Sequence, residues 1–209
     1  MPRPRSLEPT QLASAALAVI DREGLAALSM RSVAAELGRG TMSAYRYVDG
    51  REQLERLVVD HVLSEVDFEV SPQQRWDEQL MLVAERIRRA VAAHPSIVPL
   101  LLIHRHDSVP IRRSGEVMLG ILTDAGFSGE ERVVAFRALL SYIIGALQVE
   151  HHGPLSGSGT DALAALPTSR YPHLAETARQ ARGVSVEHEF GAGLAIVLRG
   201  MQALLREAR

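Results

Sequence analysis

Residues 28–38 read Leu28-Ser29-Met30-Arg31-Ser32-Val33-Ala34-Ala35-Glu36-Leu37-Gly38. They continue as Arg39-Gly40-Thr41-Met42-Ser43-Ala44-Tyr45-Arg46-Tyr47-Val48, then Asp49-Gly50-Arg51-Glu52-Gln53-Leu54. Ser29 suits an N-cap, because its hydroxyl accepts a bond from a backbone N–H that the first helical turn leaves unpaired. Val33, Ala34 and Leu37 follow at helical spacing on one apolar face. Gly38 comes next, where a residue without a Cβ takes up the left-handed stop of a helix. Thr41 is placed to cap a second, short helix running to about Tyr47, with Thr41, Ser43, Tyr45, Arg46 and Tyr47 on its outer side. Two short helices joined by a tight glycine-containing turn make the shape that docks on DNA with its second helix in the major groove.

The flanks extend this unit. Pro9 stands where a first-turn proline belongs, Leu12, Ala16, Val19 and Ile20 follow at helical spacing, and Gly24 ends that helix. A further helix begins after Asp49-Gly50, carries Leu54, Leu57, Val58, His61 and Val62, and is expected to reach about Phe68. Ser71-Pro72 marks the expected boundary between a domain at 1–70 and another at 71–209. Upstream, Arg3 and Arg5 stand between prolines, either as an arm touching phosphates or the minor groove, or as a solvated tail.

Beyond the boundary the pattern stays helical. Helices are expected over about 73–94, 96–106, 110–125, 129–152, 173–181 and 186–206, and a flexible loop over 153–170, where Gly and Ser cluster. No strand-like alternation persists and no repeat of a few tens of residues stands out, so the fold class is all-α.

Bulk numbers bound the function classes. The chain has 209 residues, 46% of them hydrophobic, and no cysteine, which excludes disulfides and thiolate metal sites. No secretory leader is visible and no apolar run approaches the roughly 18 residues of a bilayer span, so a soluble cytoplasmic protein without membrane contact is expected. Net charge is only −2, but it is unevenly spread. Residues 1–51 hold seven arginines against five carboxylates, and the remainder holds 16 basic against 20 acidic residues. The positive charge thus gathers at the reading head. All basic residues are arginine, which suits bidentate contacts to phosphate and guanine, though a genome-wide bias accounts for it equally.

Eight histidines raise the question of a metal. His104 and His106 are two apart and fall on different helix faces, and adjacent His151 and His152 should diverge further. No His-Glu-x-x-His spacing occurs, so no metal and no cofactor is expected. Gly-x-Ser-x-Gly, Gly-x-Gly-x-x-Gly and P-loop spacings are also missing. An all-α enzyme using the His-rich C-terminal half, and a DNA-binding protein that needs no effector, remain as alternative readings.

Over residues 7–62 the order of helices, glycines and aromatics resembles the TetR/AcrR family of one-component transcriptional regulators. Tyr45, the aromatic Tyr47, the apolar Val48 and the basic Arg51 match the family pattern in type. Arg39 departs from it, since an apolar residue is usual there. Beyond residue 70 the likeness is one of layout, and Glu189-Phe190-Gly191-Ala192-Gly193-Leu194 is similar to the tetracycline-repressor-type C-terminal domain. The resemblance implies a ligand-responsive repressor that binds palindromic operator DNA as a homodimer and is released by a small molecule. By position, Arg31, Thr41, Met42, Ser43 and Arg46 become base-contact candidates, and Tyr45, Tyr47, Arg51 and Arg39 phosphate candidates. Arg46 has the reach for a bidentate guanine contact and Met42 for a thymine methyl. Helices 129–152 and 186–206 are implied to form a four-helix interface with their dyad mates. An apolar effector pocket is implied within helices 73–94, 96–106, 110–125 and 129–152, with His104, Met118, Leu122, Phe136, Leu140 and Ile144 as its candidates.

Overall fold

Residues 8–41, 45–152 and 157–207 are described by the computed structural model, and all regular structure among them is helical. Helix α1 spans Pro9–Glu23, a 3-10 turn Leu25–Ala27 follows, and α2 spans Met30–Glu36. Helix α3 covers Arg51–Ser64, α4 Trp76–Ala92, α5 Val98–Ile103 and α6 Val109–Asp124. The remaining helices are α7 (Gly129–His151), α8 (Ser158–Ala164), α9 (Pro172–Ala181) and α10 (Val186–Glu207). The chain falls into two compact units: 1–69 with 86–117, and 70–85 with 118–209. The expected boundary near residue 70 coincides with one edge of this division. Residues 86–117 nevertheless pack with the N-terminal helices, which no local pattern in the sequence reveals.

In the first unit, α1 starts with Pro9, and the Glu8 N–H donates to Gln11 Oε1 at 3.1 Å. Its inner face supplies Leu12, Ala16, Val19 and Ile20, all fully buried. They meet Leu28 and Val33 from around α2, and Leu54 and Val58 from α3. Each fully buried aliphatic side chain of this kind contributes about 1.5–3 kcal/mol through removal from water. Helix α3 stops at Ser64, four residues short of the expected Phe68. Beyond its end, Arg86 Nη1 donates to the carbonyls of Asp67 (2.9 Å) and Glu69 (2.6 Å). Those carbonyls are thereby held in a non-helical run, while Val66 and Phe68 still reach the core.

In the second unit, α7 buries Ala135, Leu139, Ile143 and Leu147, a four-residue stripe. Its other faces leave Val133 (45% exposed), Val134 and Val149 in solvent. Helix α7 has 23 residues and contains an 18-residue window of mean hydropathy 1.5, long and apolar enough by length and composition to cross a membrane, with 22% of that window buried. This corrects the expectation that no apolar run approaches that length: the run is interrupted by few charges, and its flanking Glu and Arg residues mask it in a residue-by-residue reading. The expected loop over 153–170 also needs correction, because Ser158–Ala164 is helical. Helix α8 packs on α9 through alanines, Ala164, Ala175 and Ala178 being buried. Arg179 Nη1 donates to the Ala164 carbonyl at 3.3 Å, and Arg182 pairs with Asp161 at 2.7 Å. Small side chains carry no strong apolar stripe, so α8 was hidden among Gly and Ser.

Candidate nucleic-acid interface

Helix α2 is capped at both ends. Ser29 Oγ accepts the Ser32 N–H at 3.0 Å, and Ser32 Oγ accepts the Ser29 N–H at 3.0 Å, a reciprocal capping box. Ser32 Oγ also donates to the Ala27 carbonyl at 2.8 Å, tying the helix start to the preceding turn. At the far end the Arg39 N–H reaches the Ala34 carbonyl at 2.9 Å and the Gly38 N–H the Ala35 carbonyl at 3.0 Å. Gly38 sits at φ 61°, so this is the paired-bond left-handed stop that favours glycine. Thr41 is helical and half-buried, and the Tyr45 N–H bonds the Thr41 carbonyl at 3.4 Å, one helical turn. Met42 and Ser43, two of the base-contact candidates, lie outside the described residues.

Val48 anchors the end of this segment, 1% exposed within the core, and Tyr47 packs partly against the same cluster. Tyr45 is 49% exposed, and Arg31, Arg39 and Arg46 are exposed as well. Arg39, which replaces the apolar residue usual at this place in the resemblance, thus has its side chain out of the core. Arg22, by contrast, is engaged by acids: Glu36 and Glu23 each lie 2.9 Å from its Nη2, and hydrogen bonding to Glu36, then to Glu23, pushes its pKa up.

Arg51 opens α3. Its Nε donates to Glu55 Oε1 at 2.7 Å and its Nη2 to the Leu25 carbonyl at 3.1 Å. Glu55 Oε2 lies 3.5 Å from Nε2 of His104, which is 1% exposed. Near it, the buried Ser108 donates to Asp60 Oδ1 at 2.6 Å. A polar cavity of about 530 Å³ opens here, lined among others by Asp49, Arg51, Gln53, Arg56, His104 and Asp107. The i,i+4 spacing of Arg51 and Glu55 was readable as a helix-face ion pair. The approach of His104 across 49 residues was not.

The effector candidates are dispersed. His104 belongs to the first unit, beside Glu55. In the second unit Met118 and Leu122 are core residues at 1% and 0% exposure, and Phe136, Leu140 and Ile144 are half-buried on α7. A cavity of about 300 Å³ lies instead between α7 and α10, against Tyr142, Gly145, Val149, Glu150, Val186 and Phe190. Tyr142 donates to the Phe190 carbonyl at 2.7 Å and the two rings stand 5.7 Å apart. Burial, then the nearby Glu189 carboxylate, pushes the Tyr142 hydroxyl above its ordinary value. The His151 and His152 rings lie 5.2 Å apart rather than diverging. Among the described residues no group of three His, Asp or Glu is spaced to hold a metal ion.

The helical arrangement and the capped α2 have counterparts among known proteins. The family model described as "Tetracyclin repressor-like, C-terminal domain" matches residues 70–205. The HTH-type transcriptional repressor DrrR1 of Streptomyces coeruleorubidus is 30% identical, over 100% of this chain and 82% of its own length. The chain belongs to the TetR family of transcriptional regulators. Within that family it is also 26% identical to the class E tetracycline repressor protein of Escherichia coli, over 94% of this chain and 91% of that one. The TetR-family protein ActR of Streptomyces coelicolor, solved in complex with actinorhodin, superposes with a TM-score of 0.83 at 27% identity, covering 99% of this chain and 100% of that one.

Proposed function

We propose that this TetR-family regulator acts as a cytoplasmic repressor: a homodimer binds palindromic double-stranded operator DNA and is released by a small, largely apolar effector. The observation that carries the reading is the capped α2–Gly38 turn followed by exposed Tyr45 and Arg46. Residues 1–70 form the reading head in this proposal, and 71–209 serve the effector and the dimer. Arg46 is assigned to bidentate guanine contact, with Arg31, Thr41, Met42 and Ser43 as further base readers. Tyr45, Tyr47, Arg39 and Arg51 are assigned to phosphate, which fixes register and makes affinity salt-dependent.

The dimer rests on α7 and α10, the helices expected over 129–152 and 186–206. Val134 on α7 and Ile196 on α10 are 53% and 63% exposed in the single chain. A second copy is the occupant that TetR membership and helix-turn-helix reading both require, because one head reads too few bases. ActR, solved in complex with actinorhodin, supports a small-molecule effector. Met118, Leu122, Phe136, Leu140 and Ile144 of the second unit stay as the proposed lining, without His104, which lies in the first unit beside Glu55. The effector must bind the DNA-incompetent state better than the competent one to shift the population.

The test is fluorescence anisotropy with duplexes flanking the gene, across ionic strengths. A palindromic fragment should bind with steep salt dependence, and Arg46→Ala should cost about 1–3 kcal/mol with relaxed base preference. A protein that stays monomeric and ignores every duplex at low salt sinks the proposal.

A further inference from the structure

We infer that Glu55 and His104 are positioning residues that hold Arg51 in the orientation in which it meets a DNA phosphate. The inference rests on the proposed phosphate role of Arg51. A guanidinium has five N–H donors in a planar fork. Here Nε is committed to Glu55 at 2.7 Å and Nη2 to the Leu25 carbonyl at 3.1 Å, two anchors on different elements. Two anchors fix the plane of the fork and leave the donors of Nη1 and the second donor of Nη2 in that plane for a further acceptor. Arg51 is 51% exposed while Glu55 is 12% exposed, so the cation faces solvent and its anchor is inside.

Glu55 is itself held from behind. Its second oxygen lies 3.5 Å from the imidazole of His104, whose side chain is 2% exposed. His104 ends α5, and four residues later Ser108 donates to Asp60 on the same helix as Glu55. The turn 104–108 thus grips α3 at two carboxylates, Glu55 and Asp60. An arginine that is already oriented loses less side-chain entropy on meeting phosphate than a free one, which would otherwise forfeit much of its rotamer freedom. The cost is that a carboxylate stands beside the phosphate-facing cation. Electrostatics alone makes Glu55 unfavourable for DNA, and positioning makes it favourable, so the sign of one substitution separates the two.

Operator affinity of full-length variants is measured by anisotropy from low to moderate salt, with melting temperature as a control for folding. Arg51→Ala is expected to weaken binding several-fold and to lower the salt slope by about one per arginine lost, hence about two per dimer. Glu55→Ala is expected to weaken binding and lower the slope in the same way. Arg51→Ala/Glu55→Ala should bind no more weakly than Arg51→Ala alone, since Glu55 acts through Arg51. Glu55→Gln keeps an oxygen for Nε and should stay within about twofold of the parent, since the double-anchored fork is retained. His104→Gln, which can still donate to Glu55, should also remain near the parent, and His104→Ala should follow Glu55→Ala. Binding by Glu55→Gln that is more than about twofold tighter than the parent, any tightening by Glu55→Ala, or additive losses in the double variant overturns the positioning role. Glu55→Gln settles the sign even if the alanine variant does not fold. A parent protein that binds DNA while Arg51→Ala changes nothing removes this inference and leaves the regulator standing; a parent that binds no duplex removes both.

Discussion

Ser29 and Ser32 carry the start of the reading head through two reciprocal bonds of 3.0 Å. Removing the Ser29 hydroxyl leaves a first-turn N–H without its cap. Ser29→Ala is therefore expected to cost about 1 kcal/mol, which for a chain of this size lowers Tm by about 2–4 °C, and Ser29→Asp should restore most of it. Differential scanning calorimetry reads both; equal melting of all three proteins would show that the cap is not formed in solution. Arg39 stands where the family usually has an apolar residue; its side chain is exposed, and its backbone N–H completes the helix stop.

Helices α7 and α10 are joined by Tyr142, whose hydroxyl donates to the Phe190 carbonyl. The ring fits because residue 193 has no side chain. A Cβ on Gly193 would stand 2.9 Å from ring atoms Cε2 and Cζ and closer still to the hydroxyl. Gly193→Ala should cost about 1–3 kcal/mol by overpacking, read as a lower urea midpoint at unchanged m. The same tyrosine sets a pH dependence. Its folded-state pKa is raised, by burial first and the Glu189 charge second, above the ordinary 10.0. The stabilisation is accordingly full below that ordinary value and is lost as pH rises through the folded one. Unfolding titrated into the alkaline range should show a fall in stability that Tyr142→Phe lacks; identical alkaline profiles would argue that the hydroxyl is not buried against Phe190.

At the level of the whole molecule, the exposed valines of α7 and the exposed Ile196 and Leu204 of α10 ask for a cover. Alone, α7 passes for a membrane-spanning helix by length and composition. TetR membership makes a second copy the cover we propose. Ile196→Glu places a charge on that face at little cost to the single chain, since Ile196 is 63% exposed. We expect dimer dissociation to rise at least tenfold, about 1.4 kcal/mol, seen by sedimentation velocity and by a melting temperature that no longer depends on concentration. Unaltered sedimentation would move the interface elsewhere.

Much of this protein was legible from residue types alone. Ser29, Gly38 and the helical spacing of Leu12, Val33 and Leu54 specify capped, amphipathic helices, because capping and periodicity act over a few neighbouring residues. Local rules could not show that residues 86–117 join the N-terminal helices, that Arg86 takes the carbonyls of Asp67 and Glu69 after α3, or that His104 backs Glu55. Nor could they find α8, whose alanines are apolar only in company with Ala175 and Ala178. Each of these depends on a partner many residues away along the chain. Such contacts form only when packing brings distant segments together, and no pattern within either segment encodes the other's position.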